Sequence, residues 1–163
     1  MAKVAKAKRR EPQKSPAKQI EGFLAKFDPA VAKQVKSART ALRKRFPTAI
    51  EQLYDNYNFF VIGFCATERT SDCIVSIAAS AKGVALSFYR GADVPDPHRI
   101  LLGSGKQNRF IRIESAKTLS DPKVKALLTA AADGAPNKLP KTGKGYTMIK
   151  SVSAKQRPRR KAA

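Results

Sequence analysis

The chain has 163 residues, 42% of them hydrophobic and 28% charged, with a formal net charge of +21. That length and apolar content describe one domain with its own core and exclude a low-complexity chain. The longest apolar run, 59 to 66, is too short for a membrane span, and no apolar stretch follows the basic N-terminus as a secretory signal requires.

The charge is unevenly distributed. Residues 1 to 19 carry seven Lys or Arg against Glu11 alone, and residues 135 to 163 carry nine against no acid. The 115 residues between them hold 17 basic and 11 acidic side chains. These counts predict a disordered basic tail over 1 to 18, a domain over 19 to 134 and a second basic tail over 135 to 163. Segments with this charge and so little bulk bury too little apolar surface to offset their ordering entropy.

In chain order, Ile20, Phe23, Leu24 and Phe27 recur at helical spacing and predict a short first helix. Asp28-Pro29 supplies an N-cap and a first-turn proline for a longer second helix. Its apolar stripe is Val31, Val35, Ala38, Leu42 and Phe46, with Lys33, Lys36, Arg39, Arg43 and Lys44 on the opposite side. Pro47 ends that helix or shifts its axis, and a further turn is expected over 49 to 53. The run 59 to 66 then reads as a strand buried on both faces. Residues 74 to 80 alternate, with Val75, Ile77 and Ala79 on one side, and Lys82-Gly83 turns into a strand carrying Val84, Leu86 and Phe88. An ordered loop over 90 to 106 leads to a strand with Ile111 and Ile113 inward. Asp121-Pro122 starts a last helix, whose buried stripe is Val124, Leu127, Leu128 and Ala131 and which Gly134 caps. Helices, then a strand meander, then a helix give an α+β fold, with a mostly antiparallel sheet covered by helices.

The blocks Tyr54-Asp55-Asn56-Tyr57-Asn58, Val84 to Gly91, Pro95-Asp96-Pro97 and Leu101 to Lys106, followed by Phe110 to Glu114 and the last helix, resemble the bacterial YdhG-like domains of unknown function. The resemblance covers most of residues 20 to 134 and implies a frataxin-like α+β fold. It also implies the iron-chaperone role proposed for some of these domains. Here the chain departs from the pattern: residues 20 to 46 carry seven basic side chains and only Glu21 and Asp28 as acids. Hard iron cations need oxygen or imidazole ligands, so the fold carries over and the iron role does not.

Few motifs offer chemistry. Gly103-Ser104-Gly105-Lys106 lacks P-loop spacing and reads as a turn. His98, the single histidine, reads as a turn residue with no serine nucleophile context. Cys65 and Cys73 lie in apolar runs without CxxC spacing and read as reduced core thiols. Tyr54, Asp55, Tyr57 and Asn58 mark a candidate cleft between helices and strands, where Tyr and Asn can stack on and hydrogen-bond a base or small ligand. Tyr89 and Arg90, at a strand end, join that cleft.

The cations carry the functional expectation. Lys36, Arg39 and Arg43 on the second helix, with Lys155, Arg157, Arg159, Arg160 and Lys161 near the C-terminus, form a candidate surface for DNA or RNA without base readout. The expected protein is cytoplasmic and non-enzymatic, with no catalytic set, metal ligand or cofactor. The alternative is a frataxin-like metal or small-molecule chaperone, and an enzyme built on residues 54 to 58 is the weakest reading because no general acid and base pair can be named.

Overall fold

The computed structural model describes residues 15–162. Residues 1 to 14 of the expected N-terminal tail lie outside that range. The described chain starts with helix α1 (Pro16–Leu24) and α2 (Pro29–Arg45), then strands β1 (Ile50–Asp55), β2 (Phe60–Cys65), β3 (Cys73–Ser80), β4 (Gly83–Phe88) and β5 (Arg109–Ile113). Helix α3 (Pro122–Asp133) and strand β6 (Thr147–Val152) complete it. The six strands form one sheet in the order β5-β4-β3-β2-β1-β6, antiparallel throughout except for the parallel pair β1 and β6.

Each helix starts where the sequence places a cap followed by proline. Ser15 precedes Pro16 and Asp121 precedes Pro122, with the Asp121 carboxylate accepting from the Lys123 amide at 2.9 Å, while Asp28 holds the cap position before Pro29 without a side-chain capping bond. Proline there loses no helical hydrogen bond, because the first amides have no partner within the helix. The helices cover one face of the sheet. On that face Leu53, Phe60, Ile62, Phe64, Val75, Ile77, Ala79, Val84, Leu86, Phe88, Ile111 and Ile113 pack against Leu24, Phe27, Val35, Leu42, Val124 and Leu128. The strands 74 to 80, 83 to 88 and 109 to 113 therefore point inward the residues whose alternation predicted it.

Besides the tail expected over 1 to 18, which is helical from Pro16, two expectations fail, both at the same side of the sheet. Residues 50 to 55 form β1 and add no helical turn. Its inward positions are Glu51, Leu53 and Asp55, opposite Phe64, Ile62 and Phe60. Two of those three are carboxylates, so the strand shows no apolar alternation. The second failure is the domain boundary at 134. The expected C-terminal tail contains β6, which pairs with β1 from Glu51↔Thr147 to Asp55↔Val152. Gly145 makes the approach possible: a Cβ there would lie 1.8 Å from the Ala49 carbonyl oxygen. Its amide donates to the Pro47 carbonyl at 2.8 Å.

The antiparallel register gives the sheet two ends. One holds the β1–β2 turn (56–59), the β3–β4 turn (81–82) and the exit from β6. The other holds the β2–β3 loop (66–72) and the segment after β4. The GSGK sequence closes a hairpin-like turn, with Leu102 and Phe110 exchanging backbone hydrogen bonds at 2.8 and 3.0 Å, and His98 is exposed in the preceding loop.

Candidate nucleic-acid interface

After β6 the chain crosses the end of the sheet as an arm, 153 to 162, held by one buried carboxylate. Asp55 is 1% exposed. Its Oδ1 accepts from Arg159 Nη2 at 2.9 Å, and its Oδ2 accepts from Lys26 Nζ at 2.8 Å. Lys26 also donates to Gln156 Oε1 at 3.0 Å, and the Gln156 amide donates to the Asp55 carbonyl at 3.0 Å. Burial alone would raise the Asp55 pKa; hydrogen bonds from Lys26, Gln156 and Arg159 outweigh it and hold the carboxyl below its usual range. The Arg159 guanidinium also lies 5.8 Å over the Phe27 ring, while its Nε and Nη1 make no hydrogen bond among the described residues. The two enclosed charges, Arg159 and Asp55, cancel beside an aromatic face, and Lys26, its side chain 44% exposed, adds its charge from the surface.

The arm is pinned along its length. The Ser153 amide donates to the Asp55 carbonyl and the Arg157 amide to the Tyr57 carbonyl, each at 2.8 Å. Ser151 Oγ donates to Asn56 Oδ1 at 2.8 Å. Arg160 donates from Nε to the Lys26 carbonyl at 3.3 Å and from Nη2 to the Ala25 carbonyl at 3.2 Å. Those carbonyls follow the C-terminus of α1, where a cation also suits the helix dipole.

What this pinning leaves outside is a groove of about 530 Å³ at the sheet end, between the two hairpin turns and the arm. Phe59, Lys82, Arg157, Pro158, Arg160 and Lys161 line it, and among the described residues no acidic side chain does. Phe59 is 47% exposed, and at the neighbouring position Tyr57, 49% exposed, lies beneath the Arg157 guanidinium at 5.6 Å. Exposed rings flanked by cations offer two complementary contacts. A base can stack on a ring while its phosphate meets an arginine or lysine.

The expected site residues therefore divide. Arg157, Arg160, Lys161, Tyr57 and Asn58 are gathered at this end of the sheet, and Lys155 is exposed on the arm. Arg159 is not on the surface: it is the buried anchor. The cationic face of α2 is also partly internal. Arg39 Nε donates to Glu51 Oε2 at 2.7 Å, its Nη2 donates to Glu51 Oε1 at 3.0 Å, and Arg43 pairs with the same carboxylate at 3.1 Å. Lys36 pairs with Glu21 at 3.3 Å, exposed on both sides.

The expected cleft does not form as one site. Strand alternation sends Asp55 to the helix-covered face and Tyr54 to the open one, where its hydroxyl meets Gln52 Oε1 and Thr70 Oγ1, each at 2.8 Å. Tyr89 and Arg90 follow β4 at the opposite end of the sheet from Tyr57 and Asn58. Phe59, missed as a site residue, counted in the sequence as the first residue of a buried strand. Two bounding exposed neighbours, Tyr57 and Asn58, were its only signal.

Among the described residues no three His, Cys, Asp or Glu side chains cluster to hold a metal ion, and no helix is long and apolar enough to cross a membrane. Compared with protein-family models, with curated proteins and with solved structures, the chain shows no match in any of the three.

Proposed function

We propose that this chain is a non-enzymatic, cytoplasmic nucleic-acid-associated protein whose C-terminal arm and hairpin tips grip single-stranded DNA or RNA without base readout. The observation that carries the reading is the acid-free groove of Phe59, Lys82, Arg157, Arg160 and Lys161, beside Tyr57. Cations alone would serve any polyanion. Exposed rings between them favour a strand whose bases are unpaired and can stack, at about 1–3 kcal/mol per base.

The YdhG-like, frataxin-like assignment belongs to the same proposal, supported by the α+β order of elements and helices on one sheet face. No observation favours the metal-chaperone alternative: among the described residues no three His, Cys, Asp or Glu side chains cluster, and the β1 carboxylates Glu51 and Asp55 are buried against arginine and lysine.

The test is titration of one labelled sequence, single-stranded and as a duplex, with the full chain over a salt series. Tighter binding to the single strand and a steep salt slope are expected. Equal affinity for both forms would remove the stacking part of the proposal, and no binding near physiological salt would remove all of it. Deleting residues 135 to 163 is not a usable variant, because it removes a strand and the partner of Asp55.

A further inference from the structure

The other end of the sheet brings together two side chains that the sequence separates by seven residues. Cys65 on β2 is the register partner of Cys73 on β3, beside a bulge at Phe64/Cys65. Directly opposed antiparallel residues have Cα atoms about 4.5 or 5.5 Å apart. Either spacing falls within the roughly 4.4–6.8 Å that a disulfide spans. The side chains also converge. A Cβ on Gly63 would lie 3.2 Å from Cys73 Sγ and 3.4 Å from Cys65 Sγ, so both sulfurs crowd the space that glycine leaves open. Both thiols are free in this structure, Cys65 buried and Cys73 half-buried.

We infer that Cys65 and Cys73 form a reversible dithiol–disulfide site that accepts oxidation by a small disulfide such as glutathione disulfide. The half-buried Cys73 is the thiol such an oxidant reaches. Its thiolate attacks one sulfur of glutathione disulfide, forming a mixed disulfide and releasing one glutathione thiolate. The Cys65 thiolate then attacks the Cys73 sulfur and displaces the second glutathione. Two protein thiols are oxidised, one glutathione disulfide is reduced to two glutathiones, and the two thiol protons pass to them through solvent. The hydrogen bond with Cys73, and burial after it, push the Cys65 thiol well up. Burial shields Cys65 from the oxidant, so the mixed disulfide forms on Cys73 first and is resolved from within the chain.

The consequence is local. The bond would close the β2–β3 loop, which holds several neighbours: Gln52 donates to the Thr67 carbonyl at 3.0 Å, Tyr146 bonds Glu68, and Lys150 donates to the Glu68 carbonyl at 2.9 Å. Oxidation thus staples the loop against which the start of β6 rests. This inference does not depend on nucleic-acid binding.

The experiment exposes the native full chain to glutathione disulfide and follows intact mass, free thiols and a non-reducing peptide map. Expected are a transient glutathione adduct, then a monomer lighter by two hydrogens, with no free thiol and the Cys65 and Cys73 peptides joined. Cys65→Ser should stop at a lasting adduct on Cys73, and Cys73→Ser should stay unmodified. A wild-type chain that keeps both thiols, ends as an adduct or cross-links only between molecules overturns the inference, whatever the variants do.

Discussion

The chain has two arginine-rich surfaces of similar composition, α2 and the C-terminal arm, and the structure uses them differently. On α2, Arg39 and Arg43 converge on Glu51, which is buried beneath them and also accepts from Thr147 Oγ1 at 3.0 Å. Their charge fastens a helix to β1, and the one carboxylate cancels half of it. In the arm one arginine is enclosed so that the others are held outside: Arg159 takes the contact with Asp55, while Arg157, Arg160 and Lys161 border the groove beside Phe59. A count of cations treats the two surfaces alike. Their difference lies in where the two buried carboxylates of β1 stand, one at each end of the strand.

The largest effect should come from breaking the anchor. Asp55→Asn leaves Arg159 and Lys26 buried or half-buried without a counter-charge, which costs about 3–5 kcal/mol. Urea unfolding measures that loss, and nucleic-acid affinity should fall with it as the arm detaches. The same carboxyl sets a pH dependence. Its folded pKa lies below its unfolded value. Its contribution is therefore complete above the unfolded value of about 4 and is lost as pH falls through the lower folded one. Acid titration of wild type should show stability declining below about pH 4, and Asp55→Asn should be flatter in that window.

Glu51→Gln should cost about 2 kcal/mol, because it removes charge from hydrogen bonds that Arg39 and Arg43 still partly make. It should not weaken nucleic-acid binding, since it releases cations rather than removing them. Parallel unfolding and binding curves check both halves, and a binding loss equal to that of Asp55→Asn would erase the distinction between the surfaces. Phe59→Ala should leave stability within about 0.5 kcal/mol, as exposed substitutions do, and weaken single-strand binding by about 1–3 kcal/mol. Smallest of all, Lys36→Ala removes only the exposed pair with Glu21 and should change stability by less than about 1 kcal/mol in thermal melts.

The sequence made most of the architecture legible wherever burial was apolar. The helix stripes, the inward sides of β3, β4 and β5, and the Asp-Pro helix starts all followed from periodicity and capping. Legibility failed where burial is ionic. In β1 the inward residues Glu51 and Asp55 carry the alternation, and their partners Arg39, Lys26 and Arg159 lie 12, 29 and 104 residues away. Strand β6 failed for a related reason. Only half-buried residues such as Met148 and Ile149 mark it, and Gly145 reveals its purpose only beside Ala49. The cationic groove was half legible: its charges stood out in the sequence, but nothing local distinguished Arg159, the anchor, from Arg157 and Arg160 on either side.

The most direct test compares two double variants with wild type in binding to a labelled oligothymidylate across a salt series. Tyr57→Ala with Phe59→Ala should lose affinity at an unchanged salt slope, because stacking releases no counterions. Arg157→Ala with Lys161→Ala should flatten the slope by about 1.4, at roughly 0.7 per phosphate contact on a single strand. If both doubles bind as wild type does, or if wild type does not bind near physiological salt, the groove at the end of the sheet is not a nucleic-acid site.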